Sequence, residues 1–290
     1  MGWWLIVLTI GMMFVSSFLL SDIDVGNSGV AFEYFVLIIG ELLFLVPIGV
    51  GMLYLKLTGQ NEKNLFAIKP IPKGLIVLSV LSVMGAQYFI TYLTLPLQAI
   101  LIFIFGAETA TSQMSVPSGF FEFFMAFITL CVVAPVVEEL LCRGILIKFF
   151  EKYGAATAVI ASSFAFAILH FEARSIIQLF FVGMLLGVFR VYSGSIIPCF
   201  IMHGANNLMS LCQLTFFADD AQITFGVCLF LALMFVPVIY ITFFKFTHYF
   251  KTNVPVYTKN APGVSVGLFV CLGIFLLYNG ALVLERLINL

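Results

Sequence analysis

Apolar residues fall in nine long runs along the chain, at residues 3–20, 32–55, 74–105, 121–150, 155–170, 176–192, 195–215, 223–247 and 264–284. Polar residues crowd into the short gaps between them. A helix needs about 20 predominantly apolar residues to cross a bilayer. Lipid also forces each backbone polar group to find its partner inside the segment. The pattern therefore predicts an all-α fold, a polytopic transmembrane helical bundle of about eight or nine spans. The third run is long enough for a span plus a broken or interfacial piece around Pro96. The fifth and sixth are short, with only "FEARS" between them. The sequence carries no internal repeat and no soluble segment of domain size, so residues 1–290 read as a single integral membrane domain.

Composition strengthens this picture. Of 290 residues, 62% are hydrophobic and only 9% charged, with a mean hydropathy of +1.17; a soluble domain carries about a quarter charged residues. A net charge of −1 leaves no basic footprint for nucleic acid. The expected surroundings are a lipid bilayer. The first run lacks the basic stretch of a signal peptide and reads as a retained span. Ile6 breaks the myristoylation pattern. Lysines mark alternate loops: Lys56, Lys63, Lys69 and Lys73, then Lys148 and Lys152, then Lys245, Lys251 and Lys259. The other loops carry Asp22, Asp24, Glu108, Asp219 and Asp220. The positive-inside rule then puts the N-terminus in the cytosol, and the lack of a targeting extension fits a prokaryotic plasma membrane. Six cysteines lie within apolar runs without a C-x-x-C pair, and they read as small apolar residues.

Charges that remain inside a membrane pair, face a cavity, or work. "VVEELLCRG" at 136–144 places three of them in one run. Glu139 and Arg143, four apart, stack on one helix face as an ion pair. Glu138 is rotated roughly 140° from Arg143 and needs a different partner. Pro135 should free the Cys131 carbonyl and kink the helix. His170 closes the fifth run, four residues after Phe166, and His203 lies in the seventh, four before Asn207. At 1.5 Å per residue, Glu138 lies roughly 18 Å from the cytosolic surface, His170 roughly 22 Å and His203 roughly 12 Å. These residues could share one cavity open to the cytosol. His248 falls in a basic loop and reads as solvated; Glu41 reads as a helix-packing contact, Glu122 as interfacial, and Arg190 as snorkelling to the cytosolic surface.

A glutamate and a histidine facing a wet pocket can hold and deprotonate a water. A second histidine with Asn207 can donate to the oxygen that becomes negative as water adds to a carbonyl. The set suits hydrolysis of a peptide bond in a peptide or membrane-protein substrate near the bilayer. Competing readings remain. Two histidines and a carboxylate could ligate zinc, although the H-E-x-x-H spacing is absent. Cys142 could be a nucleophile, though no histidine shares its face. Intramembrane Glu and His could relay protons in a transporter, though no repeat halves support this.

At these residues the sequence resembles a known family. "EELLCR" (Glu138, Glu139, Arg143) is similar to E-E-x-x-x-R, "FAILH" (Phe166, His170) to F-x-x-x-H, and "HGANN" (His203, Asn207) to H-x-x-x-N. Their order resembles that of the CPBP or Abi family of intramembrane proteases, relatives of the type II CAAX prenyl endopeptidases, over about residues 120–215. The resemblance implies an all-helical fold with a conical cavity open to the cytosol. It implies that Glu138 and His170 activate water, that His203 and Asn207 stabilise the oxyanion, and that Glu139, Arg143 and Phe166 support the site. Family members have been described both as metalloproteases and as glutamate proteases; without a compact zinc motif the expectation here is no metal cofactor. The resemblance also carries an alternative, a non-proteolytic scaffold or immunity protein that regulates a membrane partner.

Overall fold

Every one of the apolar runs is helical in the computed structural model, which describes residues 1–20, 29–60, 64–105, 115–173, 175–216, 221–253 and 266–288, without a β-strand among them. Of the residues that set the expected orientation, Asp22, Asp24, Lys63, Glu108, Asp219, Asp220 and Lys259 lie outside the described residues. The helices are α1 (Gly2–Leu20), α2 (Val30–Leu42), α3 (Leu45–Leu57) and α4 (Lys73–Phe105). Then come α5 (Phe120–Tyr153), α6 (Ala155–Leu169), α7 (Ile176–Ser193), α8 (Ile197–Phe216), α9 (Ala221–Asn253) and α10 (Val266–Ile288). Among the described residues, five helical stretches are long and apolar enough to cross a membrane: α2 with α3, α4, α5, α7 and part of α9. Three shorter apolar helices, Gly2–Phe18, Ala155–Leu169 and Val266–Ala281, accompany them.

Prolines shape these helices in different ways. α4 continues unbroken through Pro96, so the expected separate piece near that residue does not form. Between α2 and α3 the chain does break. Pro47 cannot donate to the Leu43 carbonyl, which takes the Val46 N–H at 3.1 Å instead. The interruption leaves Glu41 one turn before a bend rather than in mid-helix.

α5 is the centre of the bundle and packs against α2, α3, α6, α7 and α8. α6 is buried along most of its length. It approaches α7 closely at Gly183, where an added Cβ would lie 3.2 Å from Ser163 Cα. α4 and α9 form a neighbouring pair, joined by a buried Ser82–Thr242 hydroxyl contact of 2.6 Å. Outward-facing apolar side chains such as Leu93, Phe103, Phe230, Leu233, Leu276 and Leu277 remain exposed, as a surface in contact with lipid requires.

α8 meets α5 backbone to backbone beside the site. A Cβ at Gly204 would come within 2.5 Å of the Cys131 carbonyl oxygen, too near for any side chain. Gly204→Ala should therefore push the two helices apart and cost about 1–3 kcal/mol, read as a lower melting temperature in detergent. Gly273→Ala, where nothing lies within 4 Å of the added carbon, should leave that temperature unchanged or raise it.

Candidate active site

The local backbone of α5 explains how its polar side chains are aimed. The helix begins as a regular turn series over Phe120–Phe127 and then widens into a π-helical stretch at Ile128–Val133. Here the Ala134 N–H reaches the Thr129 carbonyl, five residues back. The next donor in that register would be residue 135, a proline. The orphaned acceptor is thus the Leu130 carbonyl, and Asn207 Nδ2 of α8 fills it at 2.9 Å. A regular helix would have freed Cys131; the wide turn moves the vacancy by one residue. A short α-helical stretch, Ala134–Glu139, then carries both glutamates, and a second π-helical stretch, Leu140–Leu146, carries Arg143. Such wide turns cluster at functional sites.

Glu139 and Arg143 have no exposed side-chain surface, and Arg143 Nη1 donates to Glu139 Oε1 at 2.7 Å. The same oxygen lies 3.0 Å from His203 Nδ1. An ionised carboxylate only accepts, so His203 carries its proton on Nδ1 in this contact and turns Nε2 to the other side. Arg143 Nη2 donates to the Gly183 carbonyl of α7 at 2.9 Å. Its guanidinium also sits 4.6 Å from the Phe166 ring centre. One ion pair therefore ties α5, α6, α7 and α8 together. Glu139 Oε2 and Arg143 Nε are buried without a partner among the described residues.

Glu138 faces the other way. Its side chain is 16% exposed and that of His170 is 30%, so both are reachable where Glu139 is not. His170 ends α6, and the chain then turns through Phe171 at φ 53°. His170 Nδ1 lies 2.8 Å from the Phe166 carbonyl, which fixes the proton there and leaves Nε2 as an acceptor. That nitrogen sits 3.9 Å from Glu138 Oε2. The gap is too long for a direct hydrogen bond, but it has the length that a single water about 2.8 Å from each atom would span. Both groups line a cavity of about 170 Å³, with Glu41, Met13, Phe44 and Phe166 also in its wall.

The expected residues thus assemble in two halves rather than one. Glu138 and His170 line the cavity, whereas His203 and Asn207 are not in its lining. Phe166 joins the halves: its ring makes edge contacts with His170 at 4.6 Å and with His203 at 5.4 Å. Glu41 corrects the sequence reading, since it faces this cavity instead of serving only as a packing contact. The rarity of acids inside membranes was the signal for it. Arg190 donates to the Asn64 and Leu65 carbonyls at 2.8 and 3.1 Å, and Glu122 caps Ser118. His248, expected in a loop, lies on α9. Cys142 is buried in the cavity wall and is not disulfide-bonded. Among the described residues no group of three His, Cys, Asp or Glu side chains is placed to hold a metal ion.

Residues 120–209 match a family model described as type II CAAX prenyl endopeptidase Rce1-like. All of the motif residues from Glu138 to Asn207 fall inside that stretch. No curated protein and no solved structure matches the chain.

Removing one member of a buried pair strands the other. Arg143→Met should cost about 3–5 kcal/mol of stability, because Glu139 keeps its charge and loses its main partner. The double change Glu139→Leu with Arg143→Met should recover much of that loss. Thermal unfolding in detergent reads both, and equal melting temperatures for wild type and Arg143→Met would contradict the coupling.

Proposed function

We propose that the chain is an intramembrane endopeptidase of the CPBP and CAAX type, which hydrolyses a peptide bond near the membrane with an activated water. The observation that carries this reading is the pairing of Glu138 Oε2 with His170 Nε2 at 3.9 Å in one cavity. Both atoms are acceptors, so a water between them is held by its two protons and presents its oxygen lone pairs. The match of residues 120–209 to a prenyl endopeptidase family supports the same chemistry.

In this reading the water oxygen adds to the scissile carbonyl carbon while Glu138 takes a proton. The carbonyl oxygen gains charge, and His203 meets it through Nε2. For that nitrogen to donate, the ring must carry a second proton. Glu139 lies against Nδ1 at 3.0 Å and stabilises the resulting cation. The Asn207 amide has two N–H groups; one serves Leu130 and the other remains for the oxyanion. The two halves act on one carbonyl only if it lies between them, beside Phe166, whose ring touches both histidines. The substrate is a peptide or membrane protein that reaches the cavity from the cytosolic side of a multi-pass protein in the plasma membrane, with the N-terminus cytosolic. No metal takes part.

The test is cleavage of farnesylated and unmodified peptides by purified protein in nanodiscs. Glu138→Gln should lower kcat/KM by about 100- to 10,000-fold, and His203→Ala by about 100- to 1,000-fold. A chelator should leave the wild-type rate unchanged. Full activity in Glu138→Gln would end the proposal, and zinc-restored loss with chelator would replace the glutamate mechanism by a metal one.

A further inference from the structure

Hydrolysis of an amide needs two proton transfers, and Glu138 as general base accounts only for the first. The water's proton goes to Glu138, but the departing nitrogen must also gain one before the C–N bond breaks. The cavity holds a third polar group that the family motifs do not include. Glu41, in the last turn of α2, lines the same wall as Glu138 and His170. Its Oε2 is buried and has no hydrogen-bond partner among the described residues. Glu138 is the other carboxyl in that lining, and among the described residues no lysine or arginine joins them there.

A carboxyl placed in this way cannot easily be a second anion. An unpaired charge in a desolvated site costs several kcal/mol, and two carboxylates sharing a pocket repel. The arrangement has a use if one group carries a proton and the other does not. Pro47 and the break it imposes bring Glu41 to the cavity, with Phe44 beside it in the wall. Gly40 gives the neighbouring helix room: an added Cβ there would meet Ser16 Oγ of α1 at 3.1 Å.

We propose that Glu41 is the general acid of the reaction, a role that rests on the hydrolytic reading of Glu138. Glu41 enters the cycle protonated. Water adds to the carbonyl carbon, and its proton passes to Glu138. The C–N bond then breaks as the Glu41 proton moves to nitrogen, leaving an acid and a neutral amine. Glu138 returns its proton to Glu41, and both groups are restored. The sum is one water consumed, with its hydroxyl on the acyl product and its hydrogen on the amine.

Leaving-group chemistry tests this directly. A farnesylated peptide is compared with its analogue in which a thioester replaces the scissile amide, because a departing thiolate needs no proton. Glu41→Gln should lower amide cleavage by about 100-fold and leave thioester cleavage within about threefold of wild type. Thioester turnover also reports that the variant is folded. Glu41→Asp keeps a carboxyl and should recover part of the amide activity. Equal losses on both substrates, or unchanged amide cleavage, would overturn the assignment. Glu138→Gln should fail on both substrates. If it cleaves the amide at the wild-type rate, the hydrolytic reading fails and the Glu41 role falls with it. Failure of wild type on both substrates has the same consequence.

Discussion

One carboxylate oxygen organises the centre of this protein. Glu139 Oε1 accepts from Arg143 at 2.7 Å and from His203 at 3.0 Å, with no exposed surface on either member of the ion pair. The guanidinium reaches on to the Gly183 carbonyl and to the Phe166 ring. Four helices are held in register by this cluster. In a bilayer, apolar side chains give helices little reason to choose one another over lipid, so polar contacts and close packing select the partners. A buried pair of this kind adds little to stability compared with an apolar replacement. Its use here is positional: it fixes where His203 sits, and it turns Glu138, the next residue back, toward the cavity.

The two unusual stretches of α5 follow from the same need. A regular helix through Pro135 would leave the Cys131 carbonyl without a donor. The π-helical register moves the vacancy to Leu130, and Asn207 fills it from α8. Gly204, three residues earlier on α8, lets the backbones meet with the Cys131 carbonyl in contact. In "HGANN" the histidine meets Glu139, the glycine meets Cys131 and the second asparagine meets Leu130. The segment docks one helix along the length of another while keeping His203 Nε2 and one Asn207 N–H for other partners.

Much of this was legible in the residues. The apolar runs had to be helices because lipid offers no partner for a free backbone. The ion pair and the divergence of Glu138 followed from helical spacing alone. Contacts between helices were not legible, because nothing in local spacing ties Glu139 to a histidine 64 residues away. Nor does residue spacing reveal a π-helical turn, whose register depends on what fills the orphaned carbonyl. Glu41 reads as a packing residue in the sequence because it stands beside Gly40 in the second apolar run. Only the break at Pro47 and the fold bring it into the wall that Glu138 and His170 line.

The central claim is that water, held by Glu138 and His170, is the nucleophile. Transfer of enzyme and farnesylated peptide into oxygen-18 water, followed by a single turnover and mass spectrometry of both product and protein, tests it most directly. The account predicts one oxygen-18 atom in the new product carboxyl and none in Glu138. An unlabelled product with the heavy oxygen on Glu138 would mean that the carboxylate itself attacks through an anhydride, which would contradict it.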